Sequence, residues 1–303
     1  MANDARSSGP RTLASALCAA VFFTSVLVGA CSGGHRGGVG GAGAGGSSTL
    51  TIAGSDTMVI LAQRFAEAYM RAHPGTTIQV SGGGSGTGIA ALVNGTTTIA
   101  DASRAMKDEE KARVRSQRHA DAHETRVALD AVAVYVHASN PLPQLTIAQL
   151  AQIYRGQVTN WRDVGGGDRQ IVLYSRENNS GTYVYFKEHV LEDADFATHA
   201  QTLPGTAAVI NAVSRDPGGI GYGGIAFATG VRPVALVGSG GTPVEPTLAT
   251  ATSGAYPLAR FLSMYTAGAP SGTAKEFLDW VTSPEGQALV EPVGYDPVPR
   301  GGA

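Results

Sequence analysis

One joint constrains this chain more than any other stretch. Ile171, Val172 and Leu173 form a short apolar run of the kind that makes a buried strand, and Ser180 to Val190 follows with helical spacing. Arg176 to Thr182, reading Arg-Glu-Asn-Asn-Ser-Gly-Thr, is therefore a strand-to-helix connection. Open α/β sheets bind ligands at such connections, beyond the carboxyl ends of their strands. A helix that starts at Ser180 leaves its first N–H groups without intrahelical partners. Those donors, the Ser180 and Thr182 hydroxyls and the Arg176 guanidinium can converge on one anion.

The same unit recurs along the chain. Leu50, Ile52 and Ala53 make a strand, Gly54-Ser55-Asp56-Thr57 turns, and a helix runs to about Ala72 with Leu61, Phe65, Ala68 and Tyr69 on one face. Ile78 to Val80 is followed by Gly82-Gly83-Gly84-Ser85-Gly86-Thr87-Gly88 and a helix through Ile89, Leu92 and Val93. Ile99 to Ser103 precedes Arg104 and the charged run Lys107 to Glu124, read as a solvated helix face. Any one of these polar turns is by itself an ordinary cap. Small hydroxyls or an arginine at four equivalent strand ends point instead to a common site.

At 303 residues the chain exceeds one comfortable core, so two lobes are expected. Val127 to Val136 alternates too little for a half-exposed strand and reads as buried parallel sheet, with Asp130 at its middle in need of a buried partner. The crossing between lobes is placed there, and Val231 to Val237 is expected to return the chain. Lobe 1 is then residues 49–131 plus 236–303, and lobe 2 residues 132–235. Further elements are a capping box at Thr146-Ile147-Ala148-Gln149, the glycine-rich segment Gly218 to Gly224, a strand over Leu258 to Tyr265, a helix over Lys275 to Val281, and a cap-then-proline helix start at Ser283-Pro284. Strands alternating with helices predict α/β layers built on parallel sheet.

Arg6 and Arg11 precede an apolar stretch from Leu13 to Val28, the charge order of a secretory signal, so residues 1–31 are expected to be a signal peptide with its lipobox. Val28-Gly29-Ala30-Cys31 resembles the bacterial lipobox, which makes Cys31 a candidate for lipidation; an ordinary secreted cysteine is the alternative. Residues 32–48, dominated by glycine, predict a flexible tether of roughly 20–25 Å. The only other cysteine of the two, Cys18, lies inside the presumed signal, so no disulfide or thiolate metal site is expected in the globular part.

Several function classes lose support. A net charge of −2 without a long basic run argues against nucleic acid. The glycines at Gly82 to Gly88 are not followed by the lysine of a nucleotide-binding loop, and neither Ser85 nor Ser180 sits in a nucleophile elbow. His119 and His123, four apart, have the spacing of a helical metal pair, but the plainer reading is a solvated helix, and no metal is expected.

With Gly54-Ser55-Asp56-Thr57-Met58, Gly82 to Gly88, Ala102-Ser103-Arg104, Leu145 to Trp161, Ser175 to Thr182 and Ser283-Pro284-Glu285-Gly286 in view, the chain resembles the phosphate-binding proteins of bacterial phosphate ABC transporters from about Thr49 to Pro299. The resemblance implies a type II periplasmic-binding-protein fold: two α/β lobes joined by two crossing strands, with the ligand cleft between them. It implies a protein that is not an enzyme, needs no cofactor, captures inorganic phosphate and passes it to a membrane permease, held in the periplasm or at the cell surface by a lipid anchor. By position, Arg176, Ser180, Gly181 and Thr182 correspond to the family's anion ligands, Ser85 to the serine of its glycine-rich turn, and Asp56 and Thr57, beside Ser55, to the first-turn contacts.

Arg104 is a departure. Enteric members carry after the corresponding serine an aspartate thought to accept the proton of bound phosphate. An arginine adds attraction for any dianion yet accepts no hydrogen bond, so it cannot separate protonated phosphate from sulfate. Asp56 and Glu177 are the candidate acceptors, and Glu177 is equally suited to orient Arg176. Sulfate, molybdate and tungstate remain open as ligands, as does a secreted phosphoryl hydrolase.

Overall fold

The computed structural model of the chain describes residues 48–298. The expected signal, the Cys31 lipobox and nearly all of the tether lie outside the described residues; of the tether only Ser48 falls inside, as the first residue of a strand. In order, the first elements are β1 (Ser48–Gly54), α1 (Val59–Ala72), β2 (Thr76–Ser81), α2 (Ser85–Asn94), β3 (Ile99–Ala102), α3 (Asp108–Arg118) and β4 (Ala122–His137). They are followed by β5 (Gln144–Thr146), α4 (Ile147–Tyr154), β6 (Val172–Arg176), α5 (Gly181–Val190), β7 (Gln201–Leu203), α6 (Gly205–Arg215), β8 (Gly219–Gly224), β9 (Val231–Pro233) and β10 (Ala235–Val237). Last come β11 (Pro243–Val244), α7 (Leu248–Thr252), β12 (Ala259–Ala267), α8 (Gly272–Thr282) and α9 (Pro284–Gln287).

The main sheet has the order β2-β1-β3-β12-β4-β8-β6-β7, with β9 paired to the end of β4. β1 is parallel to β2 and β3, and β6 is parallel to β7 and β8. The alternating β/α pattern is therefore parallel at both ends of the sheet. The centre differs from the expectation: Val127 to Val136 runs antiparallel to β12 and to β8. Burial on both faces produces the continuous apolar run whichever way the neighbours point, so composition cannot tell the two directions apart.

Helices cover both faces of each half of the sheet. In the first half, Leu61, Phe65 and Tyr69 of α1 meet Ile52, Phe277 and Leu278 on one face. On the other, Ile89, Leu92 and Val93 of α2 meet Ala100, Val114 and Tyr265. In the second half, Tyr154, Phe186 and Tyr222 pack with Trp161 on one face, while Tyr135, Tyr174, Val209 and Val213 fill the other. The 3.6-residue spacing of α1 thus became one buried stripe.

β4 joins the halves. Its pairing passes from β12 at Ala131↔Ala259 to β8 at Val132↔Gly224. Next to this switch the Val132 N–H donates to Leu258 O, so the chain entering β12 crosses beside β4. The return expected at residue 236 is not made there. β10 pairs with β5, and Leu236 belongs to the core around Trp161; the strand that runs back along β4 starts at Ala259.

Other local signals became structure. Thr146 forms its capping box with Gln149, and Ser283 caps the helix that begins at Pro284. The helical spacing of His119 and His123 did not: α3 ends at Arg118, His119 is a left-handed C-cap with φ 54°, and His123 lies on β4.

Candidate functional site

Four connections meet where the two halves face each other: β1 to α1, β2 to α2, the exit of β3, and β6 to α5. Ser55, Thr57, Ser85, Ser103, Arg176, Ser180 and Thr182 are all buried there, none more than 2% exposed. Solvated polar side chains do not sink to that level without partners or a purpose.

Several of the contacts cross from one half to the other. The hydroxyls of Thr57 and Thr182 stand 3.1 Å apart. Arg176 Nη2 donates to Asp56 Oδ2 at 2.8 Å, and Nη1 donates to Thr206 Oγ1 at 2.7 Å. Asp56 in turn accepts the Gly83 N–H at 2.8 Å, which ties the first turn to the glycine-rich turn. Asn179 Nδ2 donates to Gly83 O at 2.9 Å and to Thr87 Oγ1 at 3.1 Å, and its carbonyl accepts the Gly86 N–H at 2.9 Å. The halves are closed on one another.

Two glycines permit that closure. A Cβ on Gly181 would run into Ser85 Oγ and stand 2.7 Å from Ser103 Oγ. Gly84, at φ 92°, would meet Asn179 O at 2.7 Å. Nor are the helix starts simply capped. α1 and α2 have no side-chain cap, whereas Ser180 Oγ accepts the Tyr183 N–H at 3.3 Å and caps α5. Thr57 and Ser85 are therefore not explained as ordinary caps.

The electrostatics are nearly balanced. Burial lowers the pKa of Arg176, and the Asp56 carboxylate opposes that shift. Arg176 Nε, within this closed site, has no hydrogen-bond partner among the described residues. Asp101, on β3 two residues before Ser103, is 2% exposed; burial pushes its carboxyl well up, and Oδ1 has no partner.

Arg104 departs from the expectation that it adds free positive charge. Its Nη1 and Nη2 hold both oxygens of Glu110 at 2.8 and 2.7 Å, and Nη1 also donates to Ala105 O. Burial alone would raise the Glu110 pKa; the Arg104 hydrogen bonds and charge bring it below the usual carboxylate value. The cation is neutralised by an acid six residues on, and Nε alone is left without a partner. Ser85 accepts the Ser103 N–H at 3.1 Å, so it is tied to this exit as well.

Three participants escaped sequence reasoning. Thr206 carries no motif, and Asn179 lies within the Arg176 to Thr182 turn but was given no role. Arg260, on β12, is the buried partner that Asp130 required: Nη2 and Nε donate to Asp130 Oδ2 at 2.9 and 3.1 Å. The single charged residue of the strand Ala259–Ala267 was the available sign. Burial raises the Asp130 pKa against the opposing pull of Arg260.

Comparison with known proteins agrees with this architecture. The model of the PBP superfamily domain matches residues 40–285. The phosphate-binding protein PstS of Pseudomonas aeruginosa is 37% identical over 271 residues, covering 84% of each chain. That of Bacillus subtilis is 33% identical over 253 residues, covering 83% of this chain and 81% of its own. Among solved structures, a Clostridium perfringens substrate-binding protein with bound phosphate aligns with TM-score 0.74 and 30% identity, over 83% of this chain and 100% of that one. A phosphate transport receptor from Vibrio cholerae gives TM-score 0.69 and 28% identity, over 82% and 100%. The fold is that of the type II periplasmic binding proteins. The chain belongs to the PstS family of phosphate-binding proteins.

Proposed function

We propose that this protein is an extracytoplasmic solute-binding protein that captures inorganic phosphate in the cleft and delivers it to the permease of an ABC transporter. The observation that carries the reading is the convergence of Asp56 and Thr57 with Arg176 and Thr182, more than a hundred residues further along the sequence, on one buried polar seam. The names of the relatives and the phosphate bound in the Clostridium perfringens structure support it. The proposed ligands are Ser55, Thr57, Ser85, Ser180, Gly181 and Thr182, with Arg176 as principal cation, Asp56 as its neighbour and acceptor, and Arg104 contributing only what Glu110 leaves free. In this reading residues 49–131 with β12 and the chain after it form one lobe, and residues 132–258 the other.

Micromolar affinity needs about 8 kcal/mol, and a hydrogen bond to a charged group contributes roughly 1.5–3 kcal/mol net. Several such bonds suffice, with no metal. Ligand groups from both lobes favour the closed state because the anion binds it better than the open one. In this reading the protein binds rather than catalyses: among the described residues the Ser85 hydroxyl is partnered by Ser103 atoms and that of Ser180 by the Tyr183 N–H. We further propose that Cys31 carries a lipid that tethers the protein to the membrane, which mass spectrometry of the processed N-terminus tests.

The test of the cleft is calorimetric titration of purified protein with phosphate and sulfate in parallel. Wild type is expected to bind phosphate, and Arg176→Ala to lose tight binding. Equal phosphate affinity in the two proteins removes the site assignment.

A further inference from the structure

Arg260 stands at the junction of hinge and cleft. Its strand, β12, pairs with β4 in the register Arg260↔Asp130, one step before β4 leaves β12 for β8. The side chains of Arg260 and Asp130 are 3% and 0% exposed. Asp130 Oδ1 also accepts the N–H of Ile225, at the end of β8, so the carboxylate touches both strands that flank the switch. On the other side, Arg260 Nη2 donates to Thr182 Oγ1 at 3.1 Å, in the first turn of α5. Nη1 is buried without a partner among the described residues, and the charges of Arg260 and Arg176 are close enough to oppose each other.

The direction of these bonds is forced. A guanidinium only donates, so Thr182 Oγ1 must accept from Arg260, and its own proton must go elsewhere. The Thr57 hydroxyl is 3.1 Å away, across the interface between the halves. We infer that Arg260 is a positioning residue for anion binding: held by Asp130 at the hinge, it fixes the Thr182 hydroxyl as a donor aimed at the cleft. This rests on the cleft being the anion site proposed above. The arrangement also explains why a charged pair is kept where apolar residues of equal volume would pack as stably. Arg260 ties the strand on which the lobes turn to a hydroxyl that meets the ligand.

The experiment is phosphate calorimetry with denaturation midpoints on five variants: Arg260→Gln, Arg260→Lys, Asp130→Asn/Arg260→Gln, Thr182→Val and Thr182→Val/Arg260→Gln. Arg260→Gln is expected to lose ~10- to 150-fold in phosphate affinity, the range of one charged hydrogen bond. It also strands Asp130, so its midpoint falls. The Asp130→Asn/Arg260→Gln pair removes the stranded charge; its midpoint is expected to recover and its affinity to stay low, which a purely structural role would not produce. This pair also supplies the affinity measurement if Arg260→Gln alone does not fold. Arg260→Lys, which keeps the charge and more of the reach than the shorter neutral amide, is expected to bind more tightly than Arg260→Gln. Losses from Thr182→Val and Arg260→Gln should overlap, the combined variant falling no more than ~3-fold below the weaker single one. Fully multiplicative losses, or an Asp130→Asn/Arg260→Gln protein within ~2-fold of wild type, would overturn the inference alone. A wild-type protein blind to phosphate would overturn the anion site with it.

Discussion

The Asp56→Asn substitution tests how a site with a neutralised Arg104 can tell phosphate from sulfate. Asp56 is the acid in direct contact with the principal cation, 2.8 Å from Arg176 Nη2, with a side chain 23% exposed. Its carboxylate can accept the proton of hydrogen phosphate, whereas sulfate has none to offer and meets it only as a like charge. The amide introduced by Asp56→Asn keeps the shape and an oxygen for Arg176, so the fold should persist. For phosphate the change removes one charged acceptor, a loss of about 1.5–3 kcal/mol, or roughly 10- to 150-fold in affinity. For sulfate it removes a repulsion, so binding should strengthen. The preference for phosphate over sulfate should therefore fall by at least about 10-fold at neutral pH, read by titrating both anions into both proteins. Phosphate affinity that holds or rises in parallel with sulfate would refute the acceptor role and leave Asp56 as a counterion of Arg176.

The closure itself can be blocked. Gly181→Ala puts a methyl group against Ser85 and Ser103 only when the halves meet, and overpacking of about 1–3 kcal/mol predicts a loss of about 5- to 150-fold in phosphate affinity. Unchanged affinity in calorimetry would mean the closed contact is not the binding state. The Arg104–Glu110 pair makes a pH prediction. The folded protein holds the Glu110 pKa below its ordinary value, so the pair's contribution is present above that value, near pH 4.3, and is lost as pH falls through the lower folded value. The stability gap between wild type and Glu110→Gln should thus be wide at pH 7 and close in acid; a gap independent of pH in denaturant melts would count against it. Asp101 behaves in the opposite sense. Burial raises its folded pKa, so stability is lost as pH rises from the unfolded value toward the folded one. Wild type should lose ground to Asp101→Asn between pH 4 and pH 7, and a constant difference across that range would refute the burial argument.

Much of the candidate site's local structure was legible because its signals are local. Ser180 had to start a helix, since a polar turn after Ile171–Leu173 and helical spacing beyond it leave no other reading, and the structure caps α5 with that residue. The glycines of the second turn announced a close approach, and Gly84 and Gly86 meet Asn179 across the cleft. Arg104 shows where such reading stops. Its residue type promised free charge, while Glu110 reaches back to it from the first turn of α3, where the same carboxylate also accepts the N–H of the N-cap residue Lys107.

What the sequence by itself determined, then, is the set of strand-turn-helix units and the polar chemistry at their joints, because periodicity, caps and glycine turns act over a few residues. Tertiary structure alone decided that the central strand runs antiparallel, that β10 stays with β5, and that Asp130 finds Arg260 130 positions away. Strand direction and ion-pair partners depend on which distant segments lie side by side. That choice is made by burial of the whole sheet, which no short window of residues contains.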